Sequence, residues 1–371
     1  MLSLIELKVQ SEETTTVKFE PFEPSQTIAT LIGSSDYQAI SDDALKDEDN
    51  AGWVLQLEGG SRQEWIERIR WIRLVDRLAE CELVCSRRSE FQAFLAGWQK
   101  LVRTGNVETL SPYSAVLQEI RDRWFDAKGQ PVQHSTILAW HQYLLAIDQY
   151  HMPNLVIETC QDYEQMLMQL AGSFFQILPA LPAHHRQAAC YFGVVDQFFN
   201  HLRDLQEDTS QGLCYLPTEL LDRFGVTRSE LIQQIAPSNP NYGKMMQFWL
   251  NDFLPKLRYK VWQLRTADDL PLCWQVLSEW SLQRYRRIEQ VFRDCQFDYR
   301  RFPDIYWQRV RDELPAMLKR VQAVKTQTRS SAPFNTDYAY WRGWQKELSF
   351  DVSLSQPGRS TAPNQRFDFS P

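Results

Sequence analysis

Between residues 61 and 328 the apolar positions recur at intervals of three and four, the period of a helix that buries one face. Trp65, Ile69, Ile72, Val75 and Ala79 share one such face, and Phe91, Phe94, Trp98 and Leu101 share another. Further helical runs cover Ile137 to Tyr150, Tyr163 to Leu178, Arg186 to Asp208, Lys244 to Gln263, Leu272 to Cys295 and Tyr306 to Thr326. Segments such as LPALPAHH and CYLPTELLDRFGV interrupt the period, because proline cannot continue a helix. Only eight of the 14 glycines fall in this stretch. So few turn-making residues argue against a strand-rich or doubly wound chain, in which turns recur every few residues. The pattern predicts a single all-α domain over 61–328.

The two ends lack this period. Residues 1–60 combine a Thr/Ser/Glu/Pro-rich stretch with the acidic knot SDDALKDEDN, Ser41 to Asn50, and read as an acidic, mostly extended or disordered N-terminal segment. Residues 329–371, rich in Ser, Pro, Asn and Thr, read as a C-terminal tail.

One helix departs from simple amphipathicity. Ala188 to Asp208 is apolar on nearly every side, through Tyr191, Phe192, Val194, Val195, Phe198, Phe199, Leu202 and Leu205, which marks it as interior. Yet Gln197, Asn200, Asp204 and Asp208 follow one another at steps of three, four and four, and so form one polar stripe. Two carboxylates four residues apart on a buried helix repel each other unless a cation or a water-filled cavity lies beside them. Asp oxygens with room for water and phosphate describe a Mg²⁺ site that grips a diphosphate. On spacing alone the stripe also fits the solvated face of a surface helix. A second helix carries a similar set: Arg73, Asp76 and Glu80 are spaced by three and four, which fits either a partner to the first pair or an ordinary surface ion pair.

The formal charge of −7 changes the picture little, since residues 1–60 hold 12 acids against three lysines and the body is near neutral. Without a basic stripe a nucleic-acid partner is not expected. Seven cysteines with no CxxC pair, a start without a basic n-region, and apolar runs broken by residues such as Gln176 and Pro179 point to a cytoplasmic chain. At most it touches a membrane peripherally.

The string GVVDQFFNHLRDLQEDTSQGLCYLP, Gly193 to Pro217, resembles the second aspartate-rich motif of the squalene/phytoene synthase family, the head-to-head trans-isoprenyl diphosphate synthases. That motif runs G-x-x-x-Q-x-x-N-x-x-R-D-x-x-E-D and then G-R-x-Y-L-P. Gly193, Gln197, Asn200, Arg203, Asp204, Glu207, Asp208, Gly212, Tyr215, Leu216 and Pro217 all match it. Arg73-Leu-Val-Asp76 with Glu80 resembles the first motif, R-x-x-D-[DE]-x-x-D; Thr159-Cys-Gln-Asp162 with Ala171-Gly172-Ser173 resembles the T-x-x-E-L…A-G-S/T helix. Tyr285-Arg-Arg-Ile288 before Phe297-Asp298 resembles a segment near the family's end. The resemblance implies the isoprenoid (terpenoid) synthase fold around a central cavity. It further implies metal on Asp76, Glu80, Asp204 and Asp208, the acids that would serve catalysis. Arg73 and Arg203 would steady a diphosphate, and Gln197, Asn200, Tyr215, Phe175 and Tyr285 would line the substrate site. The implied cofactor is Mg²⁺ or Mn²⁺, and NADPH is left open. The implied substrate is farnesyl or geranylgeranyl diphosphate, in head-to-head condensation or a derived single-substrate transfer or cyclisation.

The chain also departs from the family pattern. Arg77 follows Asp76 where a second acid is usual, Glu80 replaces an Asp, and Leu213 stands where the G-R-x-Y-L-P segment has arginine. Phe174-Phe175 follows Ala171-Gly172-Ser173 where the family has Val-Gly, so a phenyl ring would shorten or block the hydrocarbon tunnel. Two readings therefore stand together: a Mg²⁺-dependent prenyltransferase, and a catalytically diverged, non-enzymatic binding or assembly factor on the same fold.

Overall fold

The computed structural model describes residues 28, 43–85, 89–152 and 154–327, with side chains except at 43, 44, 80–85, 89, 262, 263, 265, 266 and 322–327. The C-terminal tail read at 329–371 lies outside the described residues, as does nearly all of 1–42.

The described chain is helical, and its one β feature is an isolated bridge between Phe125 and Pro131. Helix α1 is Asp43–Ala51, followed by a short 3-10 turn, Gly52–Gln56. Then come α2 (Gly59–Cys85), α3 (Ser89–Thr104), α4 (Ser114–Trp124) and α5 (His134–Tyr150). Helix α6 (Cys160–Leu167) runs through a π turn, Met168–Gly172, into α7 (Ser173–Ile177). Helices α8 (Arg186–Arg203), α9 (Leu205–Ser210), α10 (Thr218–Phe224) and α11 (Arg228–Ile232) follow. The last elements are α12 (Tyr242–Phe248), a second π turn (Trp249–Phe253), α13 (Leu254–Thr266), α14 (Leu272–Asp294) and α15 (Phe302–Gln327).

The apolar-all-round helix found in the sequence, α8, is the centre of the bundle. Helices α6, α7, α13 and α14 and the first π turn all pack on it. Gly193 sets how closely: a Cβ there would stand 2.3 Å from the Ala171 carbonyl oxygen and 2.9 Å from the Phe175 ring. The absent side chain thus lets α8 lie directly on the widened π turn, the kind of local bulge that recurs at functional sites. The second π turn precedes Pro255 at the start of α13, where a residue without an N–H cannot complete the regular ladder.

The same core extends through tryptophans of α2, α3, α4 and α5. Trp71, Trp98 and Trp140 each meet Trp124 edge-on, with centroids 5.5, 6.1 and 6.1 Å away. Arg68, 2% exposed, rests its guanidinium 4.4 Å from the Trp71 centroid and 5.0 Å from that of Trp124. Burial lowers its pKa to about 10, against the opposing pull of Glu64.

The N-terminal boundary expected at residue 60 differs from the structure. The knot DALKDEDNA is helix α1, and Asp49, Trp53 and Val54 are buried. Composition suggests solvent because the run is acidic, but its acids meet arginines of the body. Asp49 pairs with Arg287 on α14 and accepts the Tyr306 hydroxyl of α15, and its backbone oxygen accepts Trp280 Nε1 at 2.7 Å. Removing one partner of a buried pair leaves the other charge uncompensated, at about 3–5 kcal/mol. Asp49→Ala should therefore lower the unfolding free energy in urea by about that much. A loss below about 1 kcal/mol, the scale of an exposed pair, would show that α1 is not anchored through Asp49.

Candidate active site

The helices enclose a cavity of about 610 Å³. Helix α8 supplies one wall, along which the polar stripe and the aromatic residues separate by level. Phe175 meets Phe192 with centroids 5.2 Å apart, beside Gly193. Asp204 lies 11 residues further along, roughly 16 Å at the helical rise. The aromatic end continues from Phe175 to Trp274, Trp65 and Trp53 in a chain of ring contacts. At the other end α1, α2, α5, α8 and α9 contribute Lys46, Asp47, Asn50, Arg73, Asp76, Tyr143, Arg203, Asp204, Glu207 and Asp208.

The acids at this end are not equivalent. Burial raises the pKa of Asp204, yet Arg203 and Lys46 outweigh it and hold the carboxyl far below the usual range. Arg203 donates to it through Nε and Nη2, both at 2.8 Å. Lys46 Nζ stands 3.2 Å from Asp204 Oδ2 and 3.2 Å from Glu207 Oε2. Asp76 is the opposite case. Burial raises its pKa to about 6, only partly offset by the Tyr143 hydroxyl that donates to it and by Arg73. Asp208, one turn beyond Asp204, also lines the cavity.

Of the residues singled out by sequence, Arg73, Asp76, Phe175, Gln197, Asn200, Arg203, Asp204, Asp208 and Tyr215 line this one cavity. Glu80 lies on α2 one turn past Asp76, but its side chain falls outside the described residues. Tyr285 does not line the cavity. Its ring stacks on Phe199 at 4.5 Å and its hydroxyl donates to Asp196 Oδ1 at 2.7 Å, behind the wall. Its neighbour Arg284 takes the lining position and pairs with Asp196 and Asn50. His201, which spacing turns away from the stripe, also faces the cavity and stacks on Tyr215 with centroids 4.2 Å apart. Burial lowers its pKa to about 3, so the imidazole is neutral, and its ring nitrogens meet Tyr163 Oη at 3.1 Å and Gln197 Nε2 at 3.0 Å. Leu213 lines the wall where an arginine was expected, leaving that position without charge.

The residues missed from sequence are Tyr143, His201, Arg284 and those of α1. Lys46 and Asn50 stand four apart, a helical spacing that leads into Trp53-Val54, and this was the available signal.

A divalent ion fits these residues in part. Mg²⁺ needs only one or two carboxylates when water and phosphate oxygens complete its six positions, and Asp76 and Asp208 offer such oxygens from two walls. Asp204 is already compensated by two protein cations, so an ion there competes with Lys46.

A helical bundle closed around a cavity that is aromatic at one end and acidic at the other is an isoprenoid synthase fold. The crystal structure of a dehydrosqualene synthase in complex with ligand superposes with a TM-score of 0.57 at 16% identity, over 79% of this chain and 96% of that one. The squalene/phytoene synthase family model matches residues 146–252. The 15-cis-phytoene synthase of Synechococcus elongatus is 27% identical over 197 residues, which span 52% of this chain and 59% of that protein's length. Over these residues the chain is similar to the squalene/phytoene synthase family. Among the described residues no helix is long and apolar enough to cross a membrane.

The raised pKa of Asp76 has a signed consequence. Near pH 3.8, the ordinary value, an unfolded chain begins to ionise this carboxyl while the folded chain keeps it protonated up to about pH 6. The folded state then binds more protons, so stability falls as pH rises through this window and levels off above it. Asp76→Asn should remove that loss, so its unfolding free energy relative to the parent should rise between pH 4 and pH 7. A difference independent of pH would show that Asp76 is not held protonated.

Proposed function

We propose that the chain is a Mg²⁺- or Mn²⁺-dependent prenyltransferase that ionises an allylic prenyl diphosphate, farnesyl or geranylgeranyl, in the manner of squalene and phytoene synthases. The observation that carries this reading is the polarity of the cavity, with carboxylates and arginines at one end and aromatic rings at the other. A divalent ion bound there would neutralise the diphosphate as it departs. Asp76, Asp208 and Glu80 are the acids proposed to hold it, with Asp204 once Lys46 gives way. Arg73, Arg203 and Lys46 supply fixed positive charge for the diphosphate oxygens, which strengthens as the leaving group gains charge. Gln197 and Asn200 extend the polar lining between the two ends.

The isoprenoid chain would lie toward Ile69, Ile72, Leu170 and Phe174, with Phe175 closing the end beside Gly193. Ring faces there favour an allylic cation and exclude the water that would quench it. The neutral His201 adds no positive charge against that cation. With Phe175 at the closed end, the transfer or cyclisation of a single substrate is as compatible with the cavity as joining two.

The direct experiment incubates the chain with Mg²⁺ and geranyl, farnesyl or geranylgeranyl diphosphate, following diphosphate release and hydrocarbon together. Turnover should appear, and Asp208→Ala should reduce it at least about 100-fold; undiminished activity in that variant would remove Asp208 from the metal site. Binding of a thio-diphosphate analogue with no turnover would instead favour a non-enzymatic binding or assembly role. Phe175→Gly should shift the preferred substrate or product to a longer chain, read by gas chromatography. An unchanged profile would make Phe175 a core residue only.

A further inference from the structure

A second cluster of ligand-type side chains lies outside the cavity, and none of its members lines it. His184 and His185 end the 3-10 turn Ala183–His185 that leads into α8, and Asp269 sits in the loop that leads into α14. His184 Nε2 stands 2.7 Å from Asp269 Oδ2, and His185 Nε2 stands 2.6 Å from Oδ1. The two imidazoles are crowded together, with centroids 4.1 Å apart and planes at 48°. Among the described residues this is the one group of three or more His, Cys, Asp or Glu side chains whose ligand atoms lie within 4.8 Å of one another.

We propose that His184, His185 and Asp269 bind one divalent transition-metal ion of the zinc class, bridging the loops that enter α8 and α14. The donor set decides the class. Two imidazole nitrogens and a carboxylate suit zinc, copper or nickel, whereas Mg²⁺ and Ca²⁺ prefer all-oxygen sites. Three protein ligands leave a fourth position, and the exposure of His184 (64%) and Asp269 (49%) leaves it open to water. Zn–N and Zn–O distances of about 2.0–2.2 Å put tetrahedral ligand atoms roughly 3.3–3.5 Å apart. The present contacts therefore open by under 1 Å, and the exposed His184 ring has room to move. Without an ion, the same geometry is two imidazoles sharing one carboxylate.

The backbone beneath these ligands is fixed from both sides. The 3-10 turn is closed by His185 N donating to the Pro182 oxygen at 3.0 Å. Trp274 Nε1 on α14 donates to the Pro179 oxygen at 2.8 Å, tying the loop that carries the histidines to the helix that follows Asp269. Gln275 Nε2 holds the Leu270 oxygen at 2.7 Å, and Arg186 holds the Gln176 oxygen at 3.0 Å. Ligands placed on braced loops lose little freedom on binding, the condition for a site that binds without refolding.

The test uses the full chain without a polyhistidine tag, titrated with ZnCl₂ by calorimetry in excess Mg²⁺. One zinc per chain should bind and raise the Tm, and both effects should fall at least tenfold in affinity in His184→Ala and in Asp269→Ala. Circular dichroism checks that these two surface variants stay folded. Asp208→Asn, which alters the cavity, should bind zinc as the parent does. No stoichiometric binding, binding that survives both surface substitutions, or binding lost in Asp208→Asn would each overturn the site.

Discussion

The structure depends on one constraint: α8 carries charge into the middle of an apolar bundle, and each charge so buried has to meet its opposite. An uncompensated ion away from water costs several kcal/mol, more than any single apolar contact returns. Asp196 is answered by Arg284, with Tyr285 donating to the same oxygen. Asp204 is answered by Arg203, whose remaining donor reaches Asn50. Asp49 is answered by Arg287 and Tyr306. These pairs share members across α1, α8, α14 and α15. The acidic N-terminal helix is thus part of the body because the body's arginines require it. Several members of these pairs, Asp196, Arg284, Arg203, Asp204 and Asn50, also line the cavity.

Most of the architecture was legible because its cause is local. Helical period, proline breaks and the scarcity of glycine act within a few residues, and they marked nearly every long helix. The π turns were not legible, since a one-residue widening leaves the three-and-four spacing almost unchanged; each shows instead in its consequence, the contact of Gly193 with Ala171 or the placement of Pro255. Gln197, Asn200, Asp204 and Asp208 all line the cavity, although the single run expected from Arg186 to Asp208 breaks at Asp204, which joins α8 to α9 and leaves Asp208 on α9. What failed were positions decided by distant partners. Helix α1 looks solvated until Arg287 and Arg284 are in place, and the exchange of Tyr285 for Arg284 turns on the rotation of α14, which no local pattern fixes.

The departures from the family pattern gain different meanings once placed. Leu213 leaves its position on the cavity wall without charge, and Lys46 supplies a positive charge from α1, 3.2 Å from both Asp204 and Glu207. Phe175 lines the cavity wall, in contact with Phe174, Phe192 and Trp274, and α8 can approach it only because position 193 carries no side chain. The packing at this part of the wall is therefore set jointly by a ring on α7 and a glycine on α8.

Helix α1 is held with unequal strength along its length. Its C-terminal part is locked by the fully buried Asp49 and by Asn50, which accepts from both Arg203 and Arg284. Its N-terminal part is held at the cavity by the buried Asp47, 3.2 Å from Arg73 Nε, and by Lys46, which is 21% exposed and shares Glu207, itself 56% exposed. A partly solvated pair of this kind contributes up to about 1 kcal/mol, against several for the buried anchor. A divalent ion or diphosphate competing at Asp204 therefore works against the weak end alone. The Asp47–Arg73 pair and the Asp49 anchor lie outside that competition, so the packing of α1 does not depend on the Lys46–Asp204 contact alone.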